Sequence, residues 1–487
     1  MSGQRTEGFT HARRALRNLG RTHGPERLEL EGELPEGLQG TLFRNGPASF
    51  DSFGVRYGHW FDGDGAVSAC RVRGGEVTGA IRFVESADRA EEREAGEPLF
   101  PGFGTRAPSL RSHIRSVIRG RVKSVANTNV LPWQGRLLAL HEGSRPIGLE
   151  PETLETLGPT DLDGTIGRAM SAHPHRVAAH RCTYNIGLIG GKSPTLEILA
   201  MPDAGPARRL GSLPLGRMTM IHDFIATERH LLILISPVFL RPLDMILKRR
   251  PFVESLAWQP EVGTEVIAVP ITNPGLGIGP AKRFFVEPFF QFHFANAFEA
   301  SEAGDDIIVD LVQYPDFPGI NSWIHELTRP APMHTAIDGT LVRGRLDLRR
   351  QQLRFESVHP SCEFSRVAPG VDGRRHRFVY LGCHAQRSGV RPGMQDHLAK
   401  VDVERGESWA WDFGDETYPS EPVFVADPAR GDREDGGWLV TIVYDGERDR
   451  SCFAVVDAEL PQRGVLARAW FDQHLPPTFH GNWSPAL

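Results

Sequence analysis

Short apolar runs separated by turn residues recur along the whole chain. Examples are 230-HLLILIS-236, 264-TEVIAVPI-271, 306-DIIVDLV-312, 377-RFVYLG-382 and 438-WLVTIVYD-445. They are rich in Val, Ile, Phe and Tyr, and turn signals such as 62-DGDG-65 and 435-DGG-437 punctuate the chain. Runs of this length and composition read as strands. No βαβ alternation and no Gly-rich dinucleotide fingerprint interrupts them. The pattern predicts an all-β chain of many short antiparallel strands. Such a chain must protect its sheet edges, either by closing small sheets in a ring, as in a β-propeller, or by stacking them as sandwiches. No repeat of blade length stands out. No linker or low-complexity stretch divides the chain, so residues 1–487 read as one domain.

Two segments depart from the strand pattern. In 109-SLRSHIRSVIRGRV-122, Leu110, Ile114, Val117 and Ile118 share a helical face beside Arg111, Arg115 and Arg119. In 237-PVFLRPLDMILKRRPF-252, Leu243, Ile246 and Leu247 precede Lys248, Arg249 and Arg250. Apolar faces flanked by basic residues suit a membrane interface, and equally suit surface helices packed on a core.

Composition narrows the class. With 40% hydrophobic and 24% charged residues the chain is ordinary for a globular protein, and its formal net charge of -6 speaks against nucleic acid as a partner. The N-terminal 1-MSGQRTEGFTHARRALRNLG-20 lacks the apolar core of a secretory signal, and no stretch is long and apolar enough to span a bilayer. Cys70, Cys182, Cys362, Cys383 and Cys452 are scattered and form no CxxC pair, which excludes a cysteine zinc site by spacing and fits a reducing cytoplasm.

The 19 histidines are individually weak signals. His173 lies in 171-SAHPHR-176, His222 in 219-TMIHDF-224, His293 in 289-FFQFHFANAFE-299 and His480 in 478-TFHGNW-483. None belongs to an HExxH pair. Taken singly, each reads as an ordinary hydrogen-bonded histidine. Only a fold that converges distant strand starts, such as a propeller axis, would make them one site.

Their context supplies a resemblance. The segments 40-GTLFRNGP-47, 58-GHWFDGDG-65, 126-ANTNV-130, 139-ALHEGSRPIGLEPETLETLG-158, 362-CEFSR-366, 420-SEPVFV-425 and 434-EDGGWLVTIVYD-445, with the four histidine segments in order among them, resemble the carotenoid cleavage oxygenase family nearly end to end. The resemblance implies a seven-bladed β-propeller with helices and loops capping one face over the active site. It implies one Fe(II) per chain held by His173, His222, His293 and His480, with Glu142, Glu363 and Glu421 hydrogen-bonded to the ligands. His59 matches a structural motif, and Thr128 matches a position that limits access to one coordination site.

Four neutral imidazoles suit Fe(II) and leave coordination positions open for O₂. The implied reaction is oxidative cleavage of a carbon–carbon double bond of a carotenoid or apocarotenoid to two carbonyl products. A polyene needs an apolar tunnel, for which Phe103, Phe292, Phe294 and Trp258 are candidates by proximity to the motifs. It is also nearly insoluble, which raises the standing of 109–122 and 237–252 as peripheral membrane contacts on the inner face of the membrane. Competing readings are cleavage of a stilbene or other phenylpropanoid, a retinoid-type isomerase, and a propeller that binds hydrophobic ligands without turnover. His141 differs from the lysine of the stilbene branch and from the aromatic of bacterial apocarotenoid cleavers. It is expected to meet a polar end of the substrate. The segments 102-GFGT-105, 126-ANTNV-130 and 151-PETLETLG-158 look nearest the apocarotenoid type.

Overall fold

The computed structural model describes residues 12–119, 123–247, 249–329, 333–336, 338–384 and 393–487. Lys248 and residues 120–122 of the two proposed membrane segments lie outside the described residues. The strand-like runs are strands: His230–Ile235, Thr264–Asn273, Asp306–Tyr314, Phe378–Cys383 and Gly437–Asp445.

Seven antiparallel sheets form the seven blades of a β-propeller. Each runs from an inner edge strand outward. Blade 1 starts at Gly481–Ser484, blade 2 at Asn129–Trp133, blade 3 at His175–Val177 and blade 4 at Ile225–Ala226. Blade 5 starts at Phe290–Glu299 and blade 6 at Cys362–Arg366. The inner edge of blade 7 is split into Thr417–Pro419 and Val423–Ala426, both paired to Gly437–Asp445. Inner strands of neighbouring blades touch around the axis, blade 1 against 2 and 7, and blade 4 against 3 and 5.

Both ends of the chain close the ring. Gly481–Ser484 pairs with Gly40–Pro47 in blade 1, whose outer edge is His23–Arg27, while Glu29–Gly32 forms the outer edge of blade 7. The core is distributed between blades. One cluster is Leu42, Val72, Trp438, Phe453 and Phe471 between blades 1 and 7, and another is Tyr184, Ile198, Leu231 and Ile267 between blades 3 and 4.

The long connections all leave from the face where the inner strands begin. They carry α1 (Ala87–Ala95), α2 (Leu110–Arg119), α3 (Pro242–Leu247) and α4 (Phe317–Thr328). α4 is capped by Asp316, which accepts from the Gly319 amide, and it buries Phe317, Ile320, Trp323 and Ile324 against the axis. Residues 237–252, expected as one helix, divide into a strand Val238–Leu240, paired with Leu256–Trp258, and the short α3. Proline explains the division: it disfavours a helical Arg241 but is well placed in the first turn of the helix that follows.

Candidate metal centre

Each blade delivers one residue to the axis from its inner edge. His173 precedes His175–Val177, His222 precedes Ile225–Ala226, and His480 precedes Gly481–Ser484. His293 lies near the start of Phe290–Glu299. Glu363 is the second residue of the inner strand of blade 6, and Glu421 sits in the break of blade 7's inner edge beside Pro422, which has no N–H to pair. Thr128 precedes Asn129–Trp133 in blade 2, and Glu142 follows the next strand of that blade.

The four histidines converge. One ligand-capable atom from each lies within 4.8 Å of all the others. His222 Nε2 stands 3.0 Å from His173 Nε2 and 3.2 Å from His293 Nε2. Metal–imidazole bonds of about 2.1 Å place adjacent ligand atoms on an octahedral ion about 3.0 Å apart, close to these separations.

Carboxylates set the tautomers. His222 Nδ1 donates to Glu142 Oε1, His293 Nδ1 to Glu363 Oε2 at 2.5 Å, and His480 Nδ1 to Glu421 Oε1 at 2.9 Å. With Nδ1 carrying the proton, each Nε2 lone pair faces the axis, where lone pairs at this spacing repel unless a cation lies between them. The donor set therefore fits a divalent metal that accepts imidazole nitrogen.

Electrostatics keep the three carboxylates anionic and push His173 and His480 toward the neutral ring. Burial would raise Glu142, but His222 draws it down to about 2. The 28% of its side chain left exposed faces the cavity described below. Burial also opposes ionisation of Glu421, yet Arg366, His480 and Arg44 hold it well below the usual carboxylate range. Burial pushes His173 far below the ordinary imidazole value, with the other three rings adding to it, and takes His480 down to about 4 despite Glu421. His293 moves the other way because the charge and hydrogen bond of Glu363 outweigh burial.

Some buttressing residues are not evident from sequence. Arg44, fully buried, donates from Nη1 to Glu421 Oε2 at 2.7 Å and from Nε to Thr478 Oγ1 at 3.0 Å. Arg366 approaches Glu421 Oε1 at 3.5 Å, and the Tyr314 hydroxyl donates to Glu363 Oε1 at 2.9 Å. Arg44 stands inside the 40-GTLFRNGP-47 segment, where an arginine next to Leu42 and Phe43 is the only sequence signal. Beside His222, Asp223 joins blades 3, 4 and 5 through His175 Nε2 at 2.8 Å and the Phe294 amide at 3.0 Å.

His222, His293 and His480 open into a cavity of about 770 Å³. Thr128, His141, Glu142, Phe103 and Phe292 line it, whereas Phe294 and Trp258, expected there, do not. Phe294 packs between blades with Ile225, Leu232 and Phe289, and Trp258 packs against the cluster under the capping loops. The difference between Phe292 and Phe294 has a local cause. The strand Phe290–Glu299 carries one extra residue between Gln291 and Phe294 relative to its partner, a bulge that turns Phe292 and His293 to the axial face.

His59 is buried among Phe61, Phe103 and His325, and its Nδ1 accepts from the Phe61 amide. Asp62 accepts from the Gly104 amide at 3.0 Å and the Thr105 hydroxyl at 2.6 Å, clamping the loop that carries Phe103. A Cβ on Gly102 would lie 2.3 Å from Asp62 Oδ1, and one on Gly104 2.3 Å from His59 Cβ, so the close approach requires glycine at both positions.

A seven-bladed propeller with four axial histidines, three of them backed by glutamates, defines a class of propellers built around an axial metal centre. The chain belongs to the carotenoid cleavage oxygenase family: residues 18–485 match the family described as retinal pigment epithelial membrane protein. It is similar to the apocarotenoid-15,15'-oxygenase of Synechocystis, at 32% identity over 94% of this chain and 92% of that protein. It is similar to a carotenoid cleavage oxygenase of Mycobacterium tuberculosis and to the isoeugenol monooxygenase of Pseudomonas putida, each at 26% identity over 94% of both chains. A solved structure of a Synechocystis apocarotenoid oxygenase variant superposes with a TM-score of 0.87 at 30% identity, covering 98% of each chain.

Proposed function

We propose that this chain is a non-haem Fe(II) dioxygenase that cleaves a carbon–carbon double bond of a carotenoid or apocarotenoid to two aldehyde or ketone products. The observation that carries the reading is the convergence of His173, His222, His293 and His480, three of them fixed by Glu142, Glu363 and Glu421, at the end of an apolar cavity. Fe(II), when bound by the four histidines, supplies the one-electron chemistry that lets O₂ react with a closed-shell alkene. One alkene and one O₂ give two carbonyls, with every atom retained.

The chain's own residues bind, orient and keep water out. Phe61, Phe103, Phe292 and Phe479 surround the approach to the histidines and hold an elongated polyene by apolar contact. Thr128, whose carbonyl accepts from the His480 amide at 3.2 Å, places its side chain on the cavity wall where it narrows access to one side of the metal. His141 lines the cavity next to Glu142 and meets a hydroxyl, aldehyde or phenol at one end of the substrate.

Delivery of so insoluble a substrate is assigned to the membrane. Leu110, Ile114 and Ile118 of α2 are 57%, 50% and 80% exposed, and Leu243 and Leu247 of α3 are 69% and 74% exposed. The two helices are joined by His113 Nε2 donating to the Ile246 carbonyl at 2.9 Å, and both border the cavity. Among the described residues no helix is long and apolar enough to cross a membrane. Arg115 and Arg119 do not flank this face freely: they pair with Glu91 and Asp88 and stack on Phe100.

A second reading, cleavage of a phenylpropanoid or stilbene double bond, draws on the likeness to isoeugenol monooxygenase and on His141 as a partner for a phenol. Oxygen uptake by the iron-loaded protein against a panel of apocarotenoids, carotenoids and stilbenes separates the two. Uptake with apocarotenoids and not stilbenes is expected; the reverse replaces the first reading with the second, and uptake with neither removes both.

A further inference from the structure

The cavity that carries Phe61, Phe103, Phe292 and Phe479 beside the histidines also has solvent-exposed basic residues in its lining. Arg168, Lys192, Arg249 and Arg250 all line it, and all four are exposed. Arg250 is paired with Asp244 at 3.5 Å. Among the described residues, no carboxylate forms an ion pair with Arg168, Lys192 or Arg249. Arg168 is held in place by donating from Nη2 to the Arg119 carbonyl at the end of α2, at 3.2 Å, which leaves its other N–H groups available. Lys192 sits beside Gly190 and Gly191, which also line the cavity.

These cations belong to one opening. His113 of α2 touches Ile246, close to Arg249, and Arg119 of α2 touches Arg168. The two contacts lie six helical residues apart, about 9 Å. Among the described residues, the mouth therefore carries three unneutralised cations around an entrance that leads to the histidines.

We propose that the mouth recognises an anionic end group, and that the preferred substrate is an elongated polyene ending in a carboxylate. The inference rests on the oxygenase reading for its reaction, but not for its binding step. Guanidinium groups match carboxylates in geometry as well as charge. The apolar body of such a molecule runs inward to the histidines while its carboxylate stays at the basic rim.

The test measures binding, which needs no turnover. Retinoic acid and retinol serve as probes of equal polyene length, with and without the charge, titrated against the metal-loaded full chain by tryptophan fluorescence quenching. The wild type is expected to bind the acid at least ten-fold more tightly, with that preference shrinking as salt rises. Arg168→Gln combined with Lys192→Gln and Arg249→Gln is expected to weaken the acid at least ten-fold more than the alcohol, and Arg168→Lys to keep most of the preference. Equal affinity for the two probes, or equal losses in the variant, overturns the proposal. So does a variant whose only deficit is reduced binding to phosphatidylglycerol vesicles, which would assign the rim to the bilayer. Preference for the acid without oxygen uptake would remove the oxygenase reading and leave the rim; cleavage of neutral polyenes without preference would do the opposite.

Discussion

At the scale of residues, the site depends on the groups set behind the histidines. Each glutamate behind a histidine fixes which nitrogen faces the axis, and outer hydrogen-bond partners of this kind are typically worth about 10–100-fold in metal affinity. Glu363→Gln is expected to weaken iron binding by about that factor, read by chelator competition. Affinity equal to wild type would detach Glu363 from the centre. Arg44 carries a different burden. Its removal leaves the buried Glu421 short of its nearest countercharge, and breaking a buried pair costs about 3–5 kcal/mol. Arg44→Met should therefore lower the denaturant midpoint strongly, and an unchanged midpoint would contradict the assignment. The four axial histidines are legible in the sequence as one site only because many segments occur in family order. Arg44, Arg366 and Tyr314 are not, because their partners are distant in sequence and no local pattern records such contacts.

At the scale of elements, the capping loops determine what reaches the four histidines. Asp62 holds the loop of Phe103, and burial pushes its carboxyl up to about 6 even though Thr105 and Gly104 favour the anion. A carboxyl raised in the folded state contributes stability that is fully present below its unfolded value of 3.8 and is lost as pH rises through about 6. The stability of wild type relative to Asp62→Asn should therefore fall by about 3 kcal/mol between about pH 3.5 and 7, measured by denaturant titration. A pH-independent difference would show that Asp62 does not titrate there. The exposed leucines of α3 carry the membrane proposal: Leu243→Asp with Leu247→Asp should reduce cosedimentation with vesicles at least several-fold, and unchanged cosedimentation would remove it. The apolar pattern locates these segments, but it cannot show that residues 237–252 break at Arg241–Pro242, or that Arg115 and Arg119 turn inward to α1.

At the scale of the whole molecule, the ring converts seven strand starts into one site. The all-β character is legible from the alternation of apolar runs and turns. The blade repeat is not, because long insertions between residues 84 and 128, 236 and 263, and 315 and 339 disturb its spacing. Those insertions build the cap. The bulge at Phe292 and His293 is likewise invisible in the sequence, since only pairing to Asp306–Tyr314 reveals the extra residue. Proximity in sequence therefore misplaces Phe294 in the tunnel.

Double-bond cleavage is tested most directly by mass analysis of the products formed by the iron-loaded protein from an apocarotenoid under ¹⁸O₂. Two carbonyl fragments that together account for every carbon of the substrate, with label from O₂, are predicted, and they should be absent when His293→Ala replaces the wild type. Recovery of the polyene intact, or only as a geometric isomer, would rule out cleavage by this centre.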